Sequence, residues 1–155
     1  TAALAAGASA GAPLTHRGSA QAVTFVTGHA AKGGEPDLDW DSLAKANQTV
    51  VIYMGLSMAP AIAGRLLAAG RDGSTPALIV ENASRADERR IVTTLSGLAA
   101  AAEAVSGPAL LIVGEAMALA TSSAHPRAGG DLLEAQPGVE FSMDSRLRGN
   151  ERGVK

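Results

Sequence analysis

Three stretches of this 155-residue chain leave little freedom in what it can become. Residues 49–54 (TVVIYM), 76–81 (PALIVE) and 108–114 (PALLIVG) are short and apolar almost without interruption. A strand with water on one face alternates apolar and polar side chains, whereas a run without alternation reads as a strand covered on both faces. Helices supply that cover, and helical patterning lies between the runs. Met58, Ile62 and Leu66 recur every four residues, one stripe on a helix that Gly70 ends. Residues 98–105 are an alanine-rich helical stretch. Residues 1–11 (TAALAAGASAG) are another, stopped by Gly11 and Pro13. Two further strands are expected at 21–28 (QAVTFVTG) and 90–94, and Asp39 or Asp41 can cap a short helix reaching Asn47. The fold class that follows is α/β: a mixed sheet of about five strands flanked by helices, filling residues 1–120.

Beyond that point the pattern stops. Residues 121–155 are rich in Gly, Pro, Ser, Arg and Asp, without periodicity apart from Leu132-Leu133. Their few apolar side chains cannot offset the entropy of ordering the chain, so a disordered tail is expected. The chain also opens on Thr1 rather than Met, already inside a helix-forming run, which suggests a fragment whose upstream part is missing.

Composition narrows the function by exclusion. Without cysteine there is no disulfide framework, zinc–thiolate site, iron–sulfur cluster or cysteine nucleophile. Thirteen basic against fifteen acidic residues, with 3% aromatics, does not suit a nucleic-acid binder. No apolar run has the length of a membrane span, so a soluble cytoplasmic protein is the default expectation. His16, His29 and His125 all fall in predicted loops at spacings that suit no metal site, and no metal is expected. The P-loop and the G-x-G-x-x-G turn are absent. Met54-Gly55 is more informative, because a strand that ends in Met then Gly brings bare backbone to the crevice where α/β sheets bind ligands. A plain glycine turn at a strand end is the competing reading.

Six strings decide between them: PLTHRG at 13–18, VTFVTGH at 23–29, LDW at 38–40, QTVVIYMGL at 48–56, TPALIVENAS at 75–84 and PALLIVGE at 108–115. In this order and spacing, over roughly residues 1–119, they resemble the C-terminal half of the uroporphyrinogen-III C-methyltransferases, of the tetrapyrrole methylase superfamily. The resemblance implies the C-terminal α/β domain of a two-domain enzyme, homodimeric when complete, with S-adenosylmethionine in the cleft between domains. It implies methylation of two ring carbons of uroporphyrinogen III to precorrin-2, on the route to sirohaem and cobalamin. A precorrin methyltransferase of the cobalamin pathway is the neighbouring alternative. A non-catalytic remnant kept as a binding or dimerisation module is the alternative of another class.

Carried over position by position, the resemblance implies cofactor-binding roles for Thr1 and Ala2, for Met54 and for Ala83. The last stands where the family often has glycine, which is tolerable only if that backbone does not need a positive φ. The substrate carries many carboxylates, so Arg17, with His16 beside it, is a candidate to hold one. The competing readings are an internal ion pair for Arg17 and a packing or capping role for His16. Met54 as core filler completes the set, and Glu81 and Asn82, at a strand end, can bind ligand but are expected to organise the turn presenting Ala83. The family's Gly-rich G-x-G-x-G-D loop and its acid–base candidates have no match here, so no catalytic residue is expected in this chain, and the chain alone is expected to be inactive.

Overall fold

The computed structural model describes residues 1–30 and 33–122. The elements are α1 (Ala2–Ala10), β1 (Ala22–Thr27), α2 (Trp40–Leu43), β2 (Gln48–Tyr53), α3 (Ala59–Ala68), β3 (Pro76–Glu81), β4 (Arg89–Thr94), α4 (Leu98–Ala102) and β5 (Ala109–Val113). Short 3-10 turns lead into α3 (Leu56–Met58) and follow β5 (Glu115–Leu119). One five-stranded sheet runs in the order β1-β2-β5-β3-β4. β1 and β2 are parallel, and β5 is antiparallel to both β2 and β3. β4 returns antiparallel to β3. The carboxyl ends of β1, β2 and β3 therefore gather at one end of the sheet, with the starts of β4 and β5.

The expectation of strands covered on both faces holds, because the central three divide their apolar side chains between two cores. Val50, Ile52, Ile79 and Leu111 face Ile62 and Leu66 of α3 and Leu98 of α4. Val51, Leu78, Val80 and Ile112 face the other way, onto Ala3, Ala6 and Ala10 of α1 and onto Met117. The alanines explain how an unstriped helix can cover a sheet: with nothing bulkier than a methyl, α1 lies close against it. Gly7 carries the same logic further, since a Cβ there would lie 2.8 Å from the Ala12 carbonyl oxygen. The helix ends where expected, with Gly11 in the left-handed region at φ 69°.

Boundaries moved by a few residues. Asp39 is the cap of α2, its Oδ1 accepting from the Ser42 N–H at 3.0 Å. That helix stops at Leu43 rather than reaching Asn47. α4 stops at Ala102, short of Val105. Of the expected tail only Thr121 and Ser122 are described. The Thr121 N–H donates to the Ala10 carbonyl at 2.9 Å, and the Ser122 hydroxyl donates to the Arg90 carbonyl at 3.1 Å. The rest of 121–155 lies outside the described residues.

At the end of the sheet where β1, β2 and β3 begin, Arg71 is the organising residue, and the sequence did not single it out. Its side chain is only 3% exposed. It donates to the carbonyls of Lys45 and Gln48, to the Thr75 hydroxyl, and to both carboxylate oxygens of Glu115 at 2.9 and 3.0 Å. A buried guanidinium is tolerable because its N–H groups find acceptors.

Candidate functional site

Two glycine-ended motifs meet at the other end of the sheet. The N–H of Gly28, from VTGH, donates to the carbonyl of Tyr53 at 2.7 Å. A Cβ on Gly28 would sit 2.5 Å from the Cα of Gly55. Side chains at either position would push the ends of β1 and β2 apart, so the glycines of VTGH and YMG are a packing pair.

Past Tyr53 the chain turns sharply. Met54 takes φ 52° and Asn82, just past β3, also takes φ 52°, with Ser84 at 67°. The left-handed region is unfavourable for a side-chain-bearing residue, least so for Asn and most for a bulky one. Three of the four non-glycine residues in that region among the described residues thus lie just past the ends of β2 and β3, the strands that flank β5, a clustering typical of ligand sites. Ala83 is not among them, so the alanine in place of the family's glycine costs no backbone strain.

These strand ends border an open cavity of about 550 Å³, walled by Met54, Asn82, Ala83, Pro108 and Ala2. The Tyr53 hydroxyl accepts the Ala3 N–H at 3.2 Å, which fixes the first turn of α1 at the cavity edge. Glu81, 4% exposed, ties the walls together. It accepts from the N–H groups of Ser106 and Gly107 at 3.1 and 2.7 Å and from Arg89 at 2.9 Å. Burial pushes its carboxyl pKa up, but those N–H bonds and the Arg89 charge outweigh burial and hold it below the ordinary glutamate value. Asn82 donates through Nδ2 to Asp87 at 2.8 Å and through its N–H to the Pro108 carbonyl at 2.9 Å. Glu81 and Asn82 thus organise the turn that presents Ala83.

The structure brings Ala2, Met54 and Ala83 to one cavity; Thr1, at the N-cap position of α1 without a side-chain capping bond, does not line it. Met54 is 66% exposed, which removes the core-filler reading. His16 and Arg17 are elsewhere, in the loop before β1 at the opposite end of the sheet. His16 Nδ1 accepts the Gly18 N–H at 3.2 Å and lies 3.1 Å from the Ser19 hydroxyl. Its backbone pairs both ways with Ala20, each at 2.8 Å, so its loop-organising role is satisfied locally. Arg17 is exposed in a shallow depression shared with Asn47 and Glu115. Arg85, at the cavity rim, was missed. No sequence motif marks it: Arg85 reaches the rim through the turn after β3, in which its N–H donates to the Asn82 carbonyl.

Among the described residues no group of three or more His, Asp or Glu could hold a metal ion, and no helix is long and apolar enough to cross a membrane.

Known proteins resemble this chain in sequence and fold. The family model for tetrapyrrole (corrin/porphyrin) methylases matches residues 1–99. A siroheme synthase of Pseudoalteromonas translucida is 50% identical over 121 residues, covering 77% of this chain and 25% of that protein. One from Actinobacillus succinogenes is 44% identical over 147 residues, covering 94% of this chain, and so past residue 122, but 30% of its own length. Uroporphyrin-III C-methyltransferase from Thermus thermophilus, complexed with S-adenosyl homocysteine, superposes with a TM-score of 0.66 at 39% identity. It covers 77% of this chain and 51% of that one. A cobalt precorrin-4 methyltransferase shares the fold, at a TM-score of 0.67 and 24% identity. The chain spans a quarter to a third of the curated relatives and about half of the solved structures.

Proposed function

The chain belongs to the tetrapyrrole (corrin/porphyrin) methylase family, and from that premise we propose that it forms one wall of an S-adenosylmethionine site in a C-methyltransferase acting on uroporphyrinogen III. On this reading residues 1–120 are the carboxyl-terminal domain of a two-domain enzyme, homodimeric when complete, in the route to sirohaem and cobalamin. The observation that carries it is the cavity at the ends of β2 and β3, where Ala2, Met54 and Ala83 meet around left-handed backbone. The walls fit the group. Ala2, Ala83 and Pro108 leave room for a flat nucleoside, the exposed Met54 thioether offers it a polarisable surface, and the turned backbone offers main-chain partners.

When bound, the cofactor supplies a methyl group on a sulfonium, whose in-line transfer to carbon asks for alignment and a dry cleft rather than a nucleophile. The residues here do the aligning. Glu81 fixes the loop at Gly107 against the turn at Asn82, and the Tyr53 hydroxyl fixes the start of α1. Preorganisation of this kind spares the bound complex the entropy of ordering its own walls. Thr1 would contribute from the edge of the same wall. A substrate-carboxylate role for Arg17 and His16 rests on the family resemblance alone, because this cavity does not reach them.

Titration of the 155-residue chain with S-adenosylhomocysteine, followed by amide NMR, tests the reading. Weak binding is expected from one wall of a cleft, with shifts at Ala2, Met54 and Ala83 and none at His16 or Arg17. Shifts confined to the His16–Arg17 loop, or no shifts at millimolar ligand, would overturn it.

A further inference from the structure

Arg85 is the only charged side chain among the described residues that line the cavity; the others are apolar or neutral, such as Tyr53, Ser57 and Asn82. Its backbone is held on both sides, the Arg85 N–H donating to the Asn82 carbonyl at 3.0 Å and its own carbonyl accepting from Glu88 at 3.1 Å. Its head group is not held in the same way. The side chain is 69% exposed, and its ion pair is a 3.4 Å approach of Nε to Asp87, itself 57% exposed. Such a solvated pair holds weakly. The turn thus fixes where the guanidinium starts from and leaves most of its N–H groups available above an apolar floor. A lone cation over an apolar cavity selects a molecule with an apolar body and an attached anion, and the guanidinium fork matches a carboxylate with two parallel hydrogen bonds.

We infer that Arg85 binds a carboxylate of the molecule that occupies this cavity. The inference rests on the proposed function above and names a group that the family resemblance did not. Two carboxylates fit the chemistry: that of the cofactor's amino-acid part, and one on an arm of the tetrapyrrole substrate. Asp87 competes for the same fork, so it tunes the affinity.

The test compares the 155-residue chain with Arg85→Met, Arg85→Lys and Asp87→Asn. Three probes are titrated by NMR: 5′-methylthioadenosine, which lacks the amino-acid carboxylate, S-adenosylhomocysteine, which has it, and uroporphyrin III. Arg85→Met should bind methylthioadenosine like the unaltered chain. It should bind one carboxylate-bearing probe about fivefold more weakly, roughly the strength of an exposed charge pair. Arg85→Lys should recover part of that loss, and Asp87→Asn should strengthen the same probe about twofold. A loss confined to S-adenosylhomocysteine assigns Arg85 to the cofactor, and a loss confined to uroporphyrin III assigns it to the substrate. If methylthioadenosine binds and neither carboxylate-bearing probe depends on Arg85, the inference is overturned while the reading of the cavity stands. If methylthioadenosine does not bind, both fall. Arg85 is exposed, so its variants should keep the fold, and the same spectra check that they do.

Discussion

The two ends of the sheet solve opposite problems. Where β1, β2 and β3 begin, the deeply buried Arg71 spends its donors on two carbonyls, a hydroxyl and the Glu115 carboxylate. Where the same strands finish, Met54, Asn82 and Ser84 hold left-handed backbone, and Met54 lies open to solvent beside an apolar cavity. One end gathers the chain and the other displays it. Strain at a binding surface persists only if the rest of the fold over-determines it. Arg71 and the two-sided core supply that rigidity, while among the described residues Glu81 is the buried charged anchor on the strained side.

The sharpest way to break this contrast is to remove the anchor at the closed end. Arg71→Met leaves the Lys45 and Gln48 carbonyls and the Glu115 carboxylate without their donor. Breaking a buried pair on one side costs about 3–5 kcal/mol, and the partial exposure of Glu115 places the expected loss near the lower figure. Urea denaturation should show it, and adding Glu115→Gln should return part. A loss under about 1 kcal/mol would mean that Arg71 does not hold this end.

Gly28→Ala probes the junction of β1 and β2 on the open side. The added methyl would lie 2.5 Å from the Gly55 Cα, so the backbone must move, at an expected cost of about 1–3 kcal/mol. Full stability retained would show that the two strand ends separate freely.

Glu81 tests the same end through pH. Its pKa is depressed in the folded state, so its stabilisation is fully present above the unfolded glutamate value and fades as pH falls through the lower folded one. Glu81→Gln should lower stability at neutral pH by about 1–3 kcal/mol, the cost of poorly satisfied buried donors. It should also flatten the acid limb of stability against pH, as read by thermal melts at a series of pH values. An unchanged acid limb would remove Glu81 as the anchor.

The smallest stability effect belongs to Met54. Because the residue is exposed, Met54→Ala should change stability by less than about 0.5 kcal/mol. In a complete enzyme it should weaken S-adenosylhomocysteine binding about tenfold, if its side-chain area is fully used there. Met54→Gly should be neutral or stabilising by under about 1 kcal/mol, since glycine takes the left-handed region without a Cβ clash. A large stability loss with unchanged affinity would return Met54 to a purely structural role.

Much of this molecule was legible residue by residue. The uninterrupted apolar runs marked β2, β3 and β5 to within a residue, because a strand buried on both faces must be apolar throughout. Gly11 marked the end of α1, since glycine takes the left-handed cap freely. The family resemblance pointed to Thr1, Ala2, Met54 and Ala83, and the last three share a cavity. The carboxylates of the implied substrate pointed to Arg17, with packing or capping the competing reading for His16, and neither residue lines that cavity.

What the sequence determined by itself was local: which segments are strands, which are helices, which faces must be covered, and which strings mark the family. Periodicity and side-chain size act over a few residues, and that is as far as they reach. Tertiary structure alone decided that β5, the last strand in the chain, enters between β2 and β3. That insertion brings the loop at Gly107 and Pro108 against Asn82 and completes the cavity wall. Only the tertiary structure put Met54 into left-handed backbone, placed Arg85 over the cavity and buried Arg71 under the far end of the sheet. Each depends on contacts between segments tens of residues apart, whose energies belong to the assembled sheet and to no single stretch of it.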